Sequence, residues 1–174
     1  MTSIGPYSQK TDKTYKFNLK DLCIIHHSNL KIENTNSISD IIFNNSCFSK
    51  FKYILILSKL DVIYNDKQSN FTIFIPSDDF LKYIPESFFL KMDLFTARNI
   101  IKSSTLENRI TSDIIQDNPS SFFTTMNKYN RLYVKNINNN TIINNNINLI
   151  QKDIITTNGI IHLIDKLLIP EIDI

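Results

Sequence analysis

An α+β fold is the architecture that this sequence of 174 residues predicts. Three observations carry the prediction. Apolar positions at helical spacing fill most of the first half. One continuous apolar run of strand length, Phe71 to Ile75, interrupts them. The last third then changes period, to β-branched and aromatic stretches separated by Asn-rich turns. Helices, one buried strand, more helix and a run of hairpins is the α+β order.

Residues 1–33 read as an N-terminal arm, and residues 34–174 as the domain. The arm is polar except for an apolar knot at Leu22 to Ile25, followed by His26-His27. No further Cys or His stands at ligand spacing from that pair, so solvent-facing imidazoles are expected rather than a metal site. From Ser37 the signals sharpen. In "SISDIIFNN", Ser37 is an N-cap and Asp40 stands at N3, where a carboxylate can meet free backbone N–H groups. "CFSKFKYILILSKLDVI" keeps Phe48, Phe51 and Leu55 near helical spacing and should bury one face.

In "NFTIFIPSDDFLKYIPESFF" the apolar run predicts a strand buried on both faces, stopped by Pro76. Ser77 can cap a following helix, with Asp78 and Asp79 in the first turn, where the helix dipole favours negative charge. Paired carboxylates also suit acid–base or metal chemistry, but nothing else is patterned with this pair. "LFTARNIIKSSTLENRITSDII" is amphipathic, with Leu94, Ile100 and Ile101 as expected anchors, and leads into a short strand. "FFTTMNKYNRLYVKNI" and "TIINNNINLIQKDII" predict antiparallel hairpins with Asn in the turns.

The chain closes on "TTNGIIHLIDKLLIP". Asn158-Gly159 is a hairpin signal, because both residues tolerate positive φ. The β-branched run after it reads as a strand. His162 and Asp165, three apart, then point to opposite faces, whereas on a helix they could converge. The strand reading makes His162 structural, its ring held by hydrogen bonds.

Composition limits the function classes. Hydrophobic residues make up 42% and charged residues 21%, and the net charge is +2 without a concentrated basic stripe, so no nucleic-acid partner is expected. The chain has 31 Ile and 22 Asn against one Ala and two Gly. Folding does not require that bias, and an AT-rich genome would produce it. Cys23 and Cys47 read as buried thiols, with a single bridge open to an oxidising compartment. The N-terminus lacks the apolar core of a signal peptide, and no run approaches a membrane span. With only two glycines there is no phosphate loop, and no catalytic triad carries a local signature. The expectation is therefore no enzyme, no cofactor and no metal.

Two segments carry a family resemblance. "FTIFIPSDDF" resembles the fasciclin-domain motif in which a buried strand runs into Pro, a Ser or Thr, an acidic residue and a Phe-bearing helix. "TTNGIIHLIDKLLIP" closely resembles that family's second motif. "FSKFKYILILSKLDVI" is similar to its first helix pair, and "TMNKYNRLYV" to the hairpin before its last strands. The resemblance runs from about Ser37 to Pro170. It implies a twisted β-sandwich or wedge with packed helices. It also implies a non-enzymatic adhesion or recognition module at a cell, matrix or virion surface, binding a protein or glycan partner. Integrin-binding members carry an Asp-Ile pair before the Thr-Asn-Gly turn, and Asp153-Ile154 stands there in this chain, although such a pair is also expected structurally. A Tyr-His pair of other members is replaced by Ser103-Ser104, so adhesion that depends on it is in doubt. The alternative is a structural subunit of a larger assembly, such as a viral particle, attached through residues 1–33. Three Asn-x-Ser/Thr sequons, at Asn44, Asn70 and Asn139, carry little weight in so Asn-rich a chain.

Overall fold

The structure, a computed structural model, describes residues 36–170. The expectations for the arm, the Leu22–Ile25 knot, His26-His27 and Cys23 lie outside the described residues.

Helix α1 (Ile38–Asn44) starts on a capping box. Ser37 Oγ accepts the Asp40 N–H at 3.1 Å, and the Asp40 carboxylate accepts the Ser37 N–H at 2.9 Å. Helix α2 (Ser49–Ser58) buries Phe51, Ile54 and Leu55. Ten residues are too few for a stable isolated helix, so this packing holds it. It ends at Lys59 with φ 60°, and a short 3-10 turn, Asp61–Asn65, takes the place of a second long helix.

Strand β1 (Phe71–Pro76) follows and continues through Pro76, which pairs with Ile164. Then come a 3-10 turn at Asp78–Leu81, α3 (Glu86–Leu90), α4 (Leu94–Ser103), β2 (Thr105–Leu106) and α5 (Ser112–Gln116). In α4 the anchors are Ala97, Ile100 and Ile101. Leu94 is not an anchor, being 38% exposed in the first turn. Asp93 caps α4, accepting the Thr96 N–H at 2.7 Å, and that bond holds its carboxyl below the usual range.

The hairpin run is β3 (Ser120–Thr124), β4 (Arg131–Ile137), β5 (Asn140–Ile143), β6 (Ile147–Thr156) and β7 (Gly159–Ile164). Asn138-Asn139 and Asn144-Asn145 take positive φ in its turns. Asn tolerates this conformation better than other non-glycine residues, which explains its use in a chain so poor in Gly. The seven strands form one sheet in the order β2-β1-β7-β6-β5-β4-β3. Only β1 and β7 pair in parallel, Phe71 beside Gly159 through Pro76 beside Ile164. All other neighbours are antiparallel.

Side-chain alternation along β1 and β7 divides the interior. Ile73, Ile75, Ile161 and Leu163 face the helices and join Phe48, Phe51 and Ile100 in one core. Phe74 and Ile164 face the other way and meet Leu132, Val134, Ile143 and Ile147 from β4, β5 and β6. The second core is thus closed by the sheet folding back on itself. The bend falls in β6, whose register with β7 shifts between Leu149 and Gln151 and again between Gln151 and Ile154. Bulges of this kind sharpen strand twist and bend. A twisted wedge with packed helices, as the sequence leads one to expect, is what results. Cys47 is buried in the first core.

Candidate functional site

The β6–β7 turn holds two buried polar side chains, Thr156 and Asn158. Gly159 takes positive φ, 157°, as the turn signal leads one to expect, whereas Asn158 does not and is there for another reason. Its side chain is fully buried and ties three segments together. Oδ1 accepts the Ile38 N–H at 2.9 Å, and Nδ2 donates to Tyr64 O at 2.7 Å and Asp66 O at 3.1 Å. Gly159 is required by space. A Cβ there would lie 2.0 Å from Phe71 O and 2.8 Å from Ile38 Cδ1. Beside the turn, the Tyr64 hydroxyl meets Thr105 Oγ1 at 2.7 Å, and burial pushes its pKa up.

His162 is fully buried in β7, its ring 5.3 Å from that of Phe74. At the second bulge the β6 ladder is broken, and Asp153 takes φ 58°. Its N–H goes to His162 Nδ1 at 3.1 Å. Nδ1 is therefore the acceptor, and Nε2–H donates to Ile110 O at 2.8 Å. Burial pushes the His162 pKa below its usual value. The Ile110 bond and the Asp153 charge oppose that shift, and Lys152 adds to it. The ring is neutral, with both nitrogens occupied.

Asp153 directs its carboxylate to α5, accepting the Ser112 N–H at 2.8 Å and the Ser112 hydroxyl. Thr72 Oγ1 accepts the Ile110 N–H at 2.8 Å and donates to Asn108 O at 2.6 Å. Arg109 Nε donates to Asn70 Oδ1 at 3.0 Å. Residues 107–112 thus form a strap stitched to β1, β6 and β7. Ile154 is buried at 3% exposure, while Ile155 and Thr157 are the exposed side chains of the turn. Alternation from Ile154 would have pointed to both. Asp165 is turned to Asn148, with both contacts at 2.8 Å, and does not meet His162.

The acidic pair also diverges. Ser77 occupies the cap position, but its buried Oγ makes no capping bond, and only a 3-10 turn follows. This corrects the expectation of a Ser77-capped helix. Asp78 instead caps α2 from outside, accepting the Lys50 N–H at 2.8 Å and the Ser49 hydroxyl. Asp79 pairs with Lys82 at 2.7 Å. Among the described residues no group of three His, Cys, Asp or Glu could hold a metal ion, and no helix is long and apolar enough to cross a membrane. Ser103 and Ser104 are buried, with Ser104 Oγ donating to Ile100 O at 2.7 Å.

A cleft of about 520 Å³ opens on the far side, between the start of β4, the β5–β6 turn and the segment after β7. Tyr83, Arg131, Tyr133, Asn145, Lys166 and Pro170 are among the residues that line it.

The fold defines an α+β wedge whose buried polar side chains near the turn are spent on holding backbone. The chain belongs to the fasciclin domain family, whose model, described as "Fasciclin domain", matches residues 46–170. A FAS1 domain pair from the insect cell adhesion molecule fasciclin I is similar in structure, with a TM-score of 0.65 at 21% identity over 78% of this chain and 51% of that one. The chain therefore spans about half the length of that pair. Comparison with curated proteins gives no match.

Proposed function

We propose that the chain is a non-enzymatic recognition module that binds a protein or glycan partner at a surface. Membership of the fasciclin domain family carries this reading, since fasciclin domains are generally adhesion-related modules. The occupied state of His162 supports it, because neither ring nitrogen is available as a base. Two contact regions are proposed, the Asp153–Asn158 turn and residues 1–33 as an attachment arm to a domain of residues 34–174. Asn36, where the described chain begins, accepts the Thr157 N–H at 2.9 Å. A partner at the turn would meet Ile155 and Thr157 directly and Asp153 only at the edge of its carboxylate, with Ile154 supporting from the core.

The test is adhesion of beads carrying the full chain to cells and to matrix-coated surfaces. Ile155→Lys, Thr157→Arg, Asp153→Ala and deletion of residues 1–33 are compared with the parent, each with a melting curve. Loss of adhesion at unchanged melting temperature supports the reading. Full adhesion in every variant rejects both regions.

A further inference from the structure

The cleft behind β4 is the feature that family membership leaves unexplained. It combines four properties. Its cations are Arg131 and Lys166, and no Asp or Glu is found among the described residues that line it. The Arg131 guanidinium lies 4.9 Å from the Phe122 ring centre and has no carboxylate partner among the described residues. Lys166 Nζ donates to a neutral carbonyl, Asn146 O, at 2.6 Å. Asp165, adjacent in sequence, is held by Asn148.

The remaining polar lining is asparagine, tyrosine and Ser103. Asn130, Asn145 and Asn146 stand in the lining, and an asparagine side chain both donates and accepts, as sugar hydroxyls do. Tyr83 is 60% exposed and stands in the lining with Ile169, which is 51% exposed. These supply apolar surface for the C–H face of a ring. The turn bordering Asn130 presents Tyr129 at 98% exposure. The volume is within the range of about 300–1,000 Å³ for small-ligand clefts.

We propose that this cleft binds an anionic oligosaccharide, a carboxylated or sulfated sugar chain. Arg131 and Lys166 meet the acidic groups, the asparagine amides meet the hydroxyls, and the tyrosines pack against the rings. A peptide strand is the poorer fit. Peptides add to an unpaired sheet edge, and β4, β5 and β6 around this cleft each already have two strand neighbours. The inference deepens the recognition reading and rests on it, while placing the site away from the Asp153–Asn158 turn.

The experiment is calorimetric titration of the full chain with a heparin-derived hexasaccharide, its desulfated counterpart and hexaglutamate, at low salt and near 0.15 M salt. The sulfated sugar is expected to bind more tightly than either control. Arg131→Gln with Lys166→Gln should weaken it by about tenfold or more, the loss of charge-assisted hydrogen bonds. Asn145→Ala should weaken the sugar while leaving net charge unchanged. Equal binding of hexaglutamate, or a double variant that binds like the parent, overturns the proposal. Binding that appears only after residues 171–174 are removed assigns the cleft to the chain's own Glu171 and Asp173, and also overturns it. Absence of sugar binding while bead adhesion persists rejects this site alone. Absence of both rejects the recognition reading as well.

Discussion

His162 holds Asp153 by its main chain and not by its carboxylate. The ring Nδ1 takes the Asp153 N–H at 3.1 Å, and the carboxylate turns away to Ser112. One imidazole thereby satisfies the N–H left over at the β6 bulge and, through Nε2, fixes Ile110 in the strap.

Acid should loosen this joint. A proton on Nδ1 would remove the acceptor and charge a buried ring. Burial lowers the folded pKa below 6.5, so the unfolded chain binds the proton first as pH falls. The stability held by neutral His162 is full above the unfolded value. It is lost progressively below about pH 6.5, down to the lowered folded value. Melting curves between pH 8 and pH 5 should show the fall, and His162→Gln should flatten that part of the profile. A parent profile without slope there rejects the mechanism. His162→Ala at pH 8 should still destabilise, since each unmade buried bond costs about 1–3 kcal/mol.

Gly159→Ala should be among the most damaging single-methyl additions. Its Cβ would meet a backbone oxygen, Phe71 O, which cannot move without shifting β1. The loss in urea unfolding is expected to exceed the about 1–3 kcal/mol of ordinary overpacking. A smaller loss would mean that β1 and β7 separate easily.

Asn158→Ala leaves Ile38 N–H, Tyr64 O and Asp66 O without this partner. The expected loss is on the order of 3–6 kcal/mol. Asn158→Asp keeps the acceptor but sets a carboxylate against two carbonyls. Its folded pKa is then raised, so its stability should recover as pH falls and the protonated acid can donate. Identical pH profiles for the two variants would contradict this.

Asp78→Ala should cost about 0.5–2 kcal/mol, the usual loss of a helix cap, because it serves α2. Ser77→Ala should cost less, since Ser77 makes no capping bond. Reversal of that order in thermal unfolding would return the capping role to Ser77.

Local signals and tertiary contacts were unequally legible in the sequence. The Ser37–Asp40 capping box, the buried β1 strand and the Asn turns depend on neighbours a few residues away, and the sequence states them directly. Asp93 is the same kind of signal, which apolar spacing alone passes over. Asp78 could not be read correctly in this way, because its partners are Ser49 and Lys50 in an earlier helix. Asn158-Gly159 marks a real turn in which Gly159 takes the expected positive φ, while the tight space at Gly159 and the long-range bonds of Asn158 are contained in no dipeptide rule. His162 was legible as a strand residue, yet its partners, Asp153 and Ile110, depend on a bulge and a strap without sequence signatures. The cleft was not legible at all. Arg131, Asn145 and Lys166 belong to three separate stretches, and only the fold brings them to one wall.

The parallel pairing of β1 with β7 sets the timing of assembly. Phe71 to Pro76 find their parallel partners in Gly159 to Ile164, near the end of the chain, and β2 offers earlier pairing only to Thr72 and Ile73. During synthesis the helices and β1 leave the ribosome well before the strand that completes them. Ile73 and Ile75 then wait with one flank open until the last hairpin arrives. Pairings so distant in sequence close slowly. Chains that stop before Gly159 would leave one whole edge of this apolar strand open, the kind of surface that chaperones bind and that aggregates when they do not.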